Sequence, residues 1–157
     1  MSEIKPELKD SDAKHCQVTW EKLYVCYAIG EASTANIEKL CRNLDMFARQ
    51  QRGIAFVLAT RDTTRPPSEE SRRLVRQVFT RNRDNIACVA ICVEAVGFSS
   101  AIIRAVTSAL FVLSQPGLKV RFFSSMNESV PWVAESVGMA TQDVRSVYYY
   151  CREIVGQ

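Results

Sequence analysis

The residues able to do chemistry are few and widely spaced. A single histidine, His15, stands directly before Cys16. Neighbours in a strand point to opposite faces, so the two make a poor Cys-His dyad. One histidine also excludes histidine-rich metal sites and leaves little room for Ser-His catalysis. The six cysteines are Cys16, Cys26, Cys41, Cys88, Cys92 and Cys151, with no Cys-x-x-Cys pair for zinc or redox work. Most sit inside apolar segments, as small buried hydrophobes do. Cys88 and Cys92 share a strand face, but their Cα atoms would lie about 13 Å apart, too far for a disulfide. No Gly-x-Ser-x-Gly elbow, P-loop, Gly-x-Gly-x-x-Gly or His-Glu-x-x-His occurs. Asp62 falls at the carboxyl end of an apolar run, where α/β folds place chemistry, but a lone aspartate there reads first as a turn or cap residue. The expectation is a chain that is not an enzyme and carries no cofactor and no metal.

Charge is more informative than nucleophiles. The net charge of +3 is uneven along the chain. Residues 42–83 hold ten arginines, no lysine and four acids, a surplus of six positive charges. Residues 1–41 carry five lysines against seven acids, and residues 84–157 carry five bases against six acids. Arginine suits bidentate contact with carboxylate or phosphate. Aromatic residues are not interleaved with these arginines, and no helix-turn-helix, RNA-recognition or zinc-finger pattern appears, which argues against nucleic acid. A solvated basic face or an acidic protein partner accounts for the segment.

The elements that position these residues follow from periodicity. With 157 residues, 47% hydrophobic and 24% charged, the chain is long enough to bury one core without disulfide or metal. Residues 1–14 form a polar lead with neither a signal-peptide core nor an Arg-rich transit pattern, so the expected compartment is the cytoplasm. Residues 16–20 and 23–29 read as two strands joined at Glu21-Lys22, an opening hairpin at or near one sheet edge. Ser33 or Thr34 caps a helix to about Gln51, with Ile37, Leu40, Leu44 and Phe47 on one stripe, and Gly53 stops it. Residues 54–60 and 86–93 are continuous apolar runs of the kind found in strands buried on both faces. Between them Pro66-Pro67 marks a loop, and Ser68 caps a helix to about Asn82 whose buried side is Leu74, Val75, Val78 and Phe79. A helix over about 98–115 ends at Pro116-Gly117, and residues 119–123 form another strand. A helix over about 127–137 follows, with Pro131 tolerable only in its first turn. Thr141 caps a last helix over about 142–155. The order β-β-α-β-α-β-α-β-α, then an extra C-terminal helix, means an α/β fold with a mostly parallel sheet and right-handed crossovers.

Residues 95–114 hold one charge, Arg104, in a stretch long enough to span a bilayer. The central charge, the serines and threonines around it, and the lack of aromatic or basic flanks argue against a membrane span. The helix here is apolar on more than one face. Ile102, Ile103, Val106, Leu110 and Leu113 fit the sheet side, leaving Ala101, Ala105, Ala109 and Val112 as a candidate interface. Its cover is the C-terminal helix, a second copy of the chain, or a partner or lipid.

This order of elements resembles the STAS fold, and more narrowly the SpoIIAA-like relatives grouped with Sec14-like lipid binders. Three stretches carry the likeness: GIAFVLATRD over 53–62, PPSEE over 66–70 opening into Arg72, Arg73 and Leu74, and KVRFFSS over 119–125 leading to Pro131, Trp132 and Val133. The likeness covers roughly residues 17–138. In antagonist STAS domains a serine or threonine in the turn after the central strand is phosphorylated by a partner kinase, usually within Asp-Ser followed closely by glycine. Here that turn reads DTTRPPS over 62–68, without glycine, so the resemblance implies Thr63, Thr64 and Ser68 as phospho-acceptors by position. A phosphate there would meet a helix N-terminus and several arginines.

The expectation is a STAS-like domain over residues 15–138, with the polar lead 1–14 before it and a helical extension over 139–157. Its expected role is a regulatory protein-interaction module that works on a protein partner or on itself as a homodimer. The contact surface would gather around Arg61, Asp62, Arg65, Arg72 and Arg73. The alternative is a small-ligand or lipid-binding domain of the Sec14-like type.

Overall fold

The computed structural model describes residues 4–31, 33–62, 65–94, 101, 103–105, 107 and 117–156. Six strands form one mixed sheet: β1 (Glu7–Ser11), β2 (His15–Trp20), β3 (Leu23–Ile29), β4 (Ile54–Arg61), β5 (Ile86–Glu94) and β6 (Val120–Phe123). They lie side by side in chain order. The first three are antiparallel, and β3, β4, β5 and β6 run parallel. Four helices have defined bounds: α1 (Thr34–Gln50), α2 (Glu69–Asn82), α3 (Met126–Val137) and α4 (Thr141–Gly156). Residues 101, 103–105 and 107 are also helical, between β5 and β6.

Strands added one after another in the same direction by right-handed crossovers put every crossover helix on the same face. That face holds α1, α2 and Ile103, packed on Phe56, Ile91 and Val93. The other face is covered by α3 and α4, which come after the last strand and pack on Ala55, Val57, Ala90 and Cys92. The period of two sorts side chains by size. On β4 and β5 the α3/α4 face carries Ala55, Val57, Ala59, Cys88, Ala90 and Cys92. The α1/α2 face carries Ile54, Phe56, Val89, Ile91 and Val93. Small residues let α3 and α4 approach closely with Met126, Val133, Val147 and Tyr148.

The expected α/β class with an opening hairpin stands, with four departures from the expectations. Five of the fourteen residues of the polar lead are a strand: β1 pairs with β2 through a bulge between Leu8 and Asp10. An edge strand needs backbone pairing more than apolar residues, and charged side chains protect an exposed edge. Helix α3 starts at Met126, so Pro131 is its sixth residue rather than part of a first turn. The ring removes one bond to the carbonyl four residues back, and Pro131 is exposed. Thr141 is the first residue of α4, not its cap; the N–H groups of Asp143 and Val144 both donate to the Ala140 carbonyl. Finally, α4 does not cover the helical residues 101, 103–105 and 107. It packs on β2, β3 and α3, on the face opposite Ile103.

The caps at Ser33, Ser68 and Ser125 each accept a bond from the backbone N–H three residues on. The Glu21-Lys22 turn closes without glycine by putting Glu21 at φ 50°. Gly138, at φ 68°, ends α3 in the left-handed region. Among the described residues no helix is long and apolar enough to cross a membrane.

Candidate functional site

The α1/α2 face contains a cavity of about 310 Å³. Its floor is Cys26, Ala28, Phe56, Leu58 and Thr60, on β3 and β4. Alternation along those strands turns these side chains to one face. Ile37, Leu40, Cys41 and Leu44 of α1 form one wall, and Val75, Val78 and Phe79 of α2 form the other. Ile103 and Thr107 also contribute.

A polar tie explains where the cavity begins. Asp45 of α1 accepts from Asn82 Nδ2 at 2.8 Å, and the same Nδ2 donates to the Val78 carbonyl at 2.9 Å. Arg49 and Arg81 reach the Asp45 carboxylate at 2.9 and 3.4 Å. The two helices are thus bound to each other in their C-terminal halves, and the cavity runs from Leu44, Val78 and Phe79 beside that tie to Thr34 in the first turn of α1 and Ser68 at the cap of α2. The exposed lining residues are Lys14, Glu31, Thr34, Arg65, Pro66 and Ser68. All six lie beyond the carboxyl ends of β3 and β4 or beside the paired start of β2, so the mouth opens there. Parallel sheets generally leave ligand space at that end. An Arg65 Nε to Glu31 Oε1 contact of 3.6 Å crosses the mouth.

The β2 wall is polar and buried. Gln17 is fully buried and its Oε1 accepts from Tyr24 Oη and, at 3.3 Å, from Asn43 Nδ2. Burial pushes the Tyr24 hydroxyl far above its ordinary range, so it stays a donor. His15 is buried between two carboxylates. Its Nε2 lies 3.0 Å from Asp10 Oδ2, a hydrogen-bonded contact. Its Nδ1 lies 2.9 Å from Asp12 Oδ2. That nitrogen makes no aligned hydrogen bond among the described residues. Asp12 also caps the β1–β2 turn, where Oδ1 accepts from the N–H groups of Lys14 and His15. The Lys14 N–H bond, with smaller help from the His15 ring and the Asn36 amide and against some burial, lowers its carboxyl to about 2. The Thr60 Oγ1 is buried with no hydrogen-bond partner among the described residues.

These groups do not form a poised nucleophile. Cys26 and Cys41 line the cavity, but burial raises their thiols to about 12 and about 11, so both stay protonated at neutral pH. All six cysteines are free. Cys16 sits on the opposite face from His15, among the α3/α4 core. Among the described residues no group of three or more His, Cys, Asp or Glu side chains is placed to hold a metal ion.

The residues expected to share one contact surface are divided between three places. Arg65 and Ser68 lie at the mouth. Arg61 falls on the same strand face as Ala59, away from the cavity, and its Nε lies 3.7 Å from the Asp62 carboxylate. Asp62 itself holds a left-handed φ of 57°, as aspartate tolerates in turns. Arg73 forms a two-pronged pair with Glu70 on the exposed side of α2, while Arg72 is half-buried beside it. The strand's period of two and the helix's period of 3.6 separate side chains that adjoin in sequence. The Ser68 hydroxyl is engaged in capping, accepting from the Ser71 N–H at 3.1 Å and donating to Ser71 Oγ at 3.0 Å. Thr63, Thr64, Ala109 and Val112 lie outside the described residues, and Ala101 and Ala105 are exposed.

The buried His15 and Gln17 were missed as site residues. Polar residues alternating with Cys16 and Val18 read as a solvent-facing side of β2, and only the helices packed on both faces make that side internal. No protein-family model, no curated protein and no solved structure matches the chain.

Proposed function

We propose that this chain is a small-molecule binding domain that does no chemistry, with its ligand held between α1, α2 and the sheet. The observation that carries this reading is the cavity of about 310 Å³, apolar along its walls and polar at its mouth. Small-ligand sites have this build: concave, mostly apolar, with a few placed polar groups and volumes from about 300 Å³ upward. The protonated thiols support binding over catalysis.

A second reading has a specific observation behind it. Arg65, Pro66, Pro67 and Ser68 border the mouth, and under the resemblance to STAS domains they fall in the turn those domains use for regulation. In that reading a protein partner contacts the turn, and ligand occupancy changes what the partner meets.

The test is native mass spectrometry of the freshly purified chain, with thermal unfolding against a panel of small amphiphiles. A ligand held only by the folded state at a hundredfold excess over its Kd adds about 2.7 kcal/mol of stability, a clear upward shift of the midpoint. Ala28→Leu, which fills the floor, should remove that shift and leave the protein folded. A chain that carries nothing and responds to no amphiphile defeats the reading.

A further inference from the structure

The polar groups at the mouth indicate what kind of molecule the cavity takes, an inference that rests on the binding function just proposed. The acids near the mouth are already engaged within the protein. Asp10 is held by His15 and approached by Lys39 at 3.8 Å. Asp12 takes the Lys14 and His15 N–H groups, the His15 ring and, at 3.2 Å, Asn36 Nδ2. Glu31 faces Arg65.

The donors are less fully used. Lys14 lines the mouth, is exposed, and has no carboxylate partner among the described residues. Arg65 keeps most of its side chain in solvent, 80% exposed, while its Nε faces Glu31. The Thr60 hydroxyl, buried in the lining, lacks a partner among the described residues, and an unsatisfied buried hydroxyl costs free energy until something bonds it. The first turn of α1, whose Thr34 and Asn36 line the mouth, carries no acid to offset its N-terminal field. Unused donors around an apolar chamber suit an acceptor-rich, negatively charged head on an apolar body.

Volume sets the size of the body. An apolar cavity of about 150 Å³ takes benzene. A chamber of about 310 Å³ is twice that, room for roughly twelve non-hydrogen atoms.

We propose that the cavity binds a monocarboxylic acid with an apolar body of about ten carbons, its carboxylate held at the mouth by Lys14, Arg65 and the Thr60 hydroxyl. The apolar body lies along Leu40, Phe56 and Val75, toward Leu44 and Phe79.

The test is isothermal titration of the full chain, near pH 7.5 and low salt, with decanoate, 1-decanol and decylammonium. Decanoate should bind about tenfold tighter than decanol, as expected for one charge-assisted hydrogen bond, with decylammonium weakest. The double change Lys14→Gln with Arg65→Gln should bring decanoate down to the level of decanol and leave decanol itself unmoved. Both residues are exposed, so an unchanged unfolding midpoint confirms that the variant is folded. Thr60→Val should weaken decanoate several-fold, with a smaller effect on decanol. Equal binding of acid and alcohol, or a preference for the amine, overturns the head-group assignment while leaving the cavity as a binding site. Binding of decanoate undiminished by Ala28→Leu places the acid elsewhere and overturns the assignment as well. Failure of all three compounds to bind removes both the assignment and the binding function beneath it.

Discussion

The two faces of the sheet are built from the same strands and do different work. On the α3/α4 face, alanine and cysteine on β4 and β5 meet large side chains from the helices. Ser129 Oγ donates to the Met126 carbonyl at 2.7 Å and meets Tyr148 Oη at 2.9 Å. On the α1/α2 face, larger strand residues meet helices joined by the Asp45–Asn82 bond, and a chamber remains. Close packing resists changes of a single methylene, whereas a face with space absorbs them. The lesson is that one sheet can carry a close-packed face and a face that keeps a chamber.

The largest effects should come from equal deletions on the two faces. Leu23→Ala, in the closed core, should cost about 4–5 kcal/mol, the upper part of the range for buried leucine. Leu40→Ala, on the chamber wall, should cost about 2 kcal/mol, because one side of that leucine already lacks packed neighbours. Denaturant midpoints at unchanged m-values decide it, and equal losses would remove the distinction between the faces.

Equal additions reverse the test. Ala90→Leu has no room on the closed face and should cost about 1–3 kcal/mol. Ala28→Leu projects into the chamber and should change stability by less than about 1 kcal/mol while removing ligand binding. A large loss from Ala28→Leu, seen in the same unfolding measurement, would mean that the chamber is not available space.

The helix caps sharpen the contrast further. Ser68→Ala and Ser125→Ala should each cost about 1 kcal/mol. Only Ser68→Ala should also alter ligand affinity, because Ser68 lies at the mouth and Ser125 caps α3 on the other side. Titration calorimetry on the two variants separates capping from contact.

The smallest effect is one of pH. Asp12 titrates near 2 in the folded chain against an ordinary 3.8, so its folded pKa is depressed. Such a group stabilises above the unfolded value and loses that contribution as pH falls from about 4 to about 2. Its side chain is half exposed, so solvent screening holds the effect below about 1 kcal/mol. Asp12→Ala should therefore be slightly less stable than the parent at pH 6, with most of the gap gone by pH 2. A gap that persists at pH 2 would assign the loss to the turn rather than to charge.

Much of this architecture was legible. Continuous apolar runs marked β4 and β5, the stripe of Ile37, Leu40, Leu44 and Phe47 marked α1, and Ser33 or Thr34 and then Ser68 marked two helix starts. These are local signals, set by periods of 2 and 3.6 and by capping chemistry within a few residues. What was not legible is non-local. β1 is made by backbone pairing to β2, and charged side chains give such an edge little apolar pattern. The five-residue contact surface around Arg61 and Arg65 was drawn by sequence proximity, and alternation along β4 sent Arg61 to the face away from the cavity.

The amino-acid sequence by itself determined the element types, the α/β class and the scarcity of nucleophilic and metal-binding residues, because each depends on composition or on spacing within one element. The tertiary structure alone decided which helix covers which face, that His15 and Gln17 are internal, and that α1 and α2 leave a chamber between them. Those outcomes depend on side chains brought together from β2, β3, β4, α1 and α2, and the separations involved are set by crossover handedness and by the Asp45–Asn82 tie. No pattern inside one segment encodes the volume left between several.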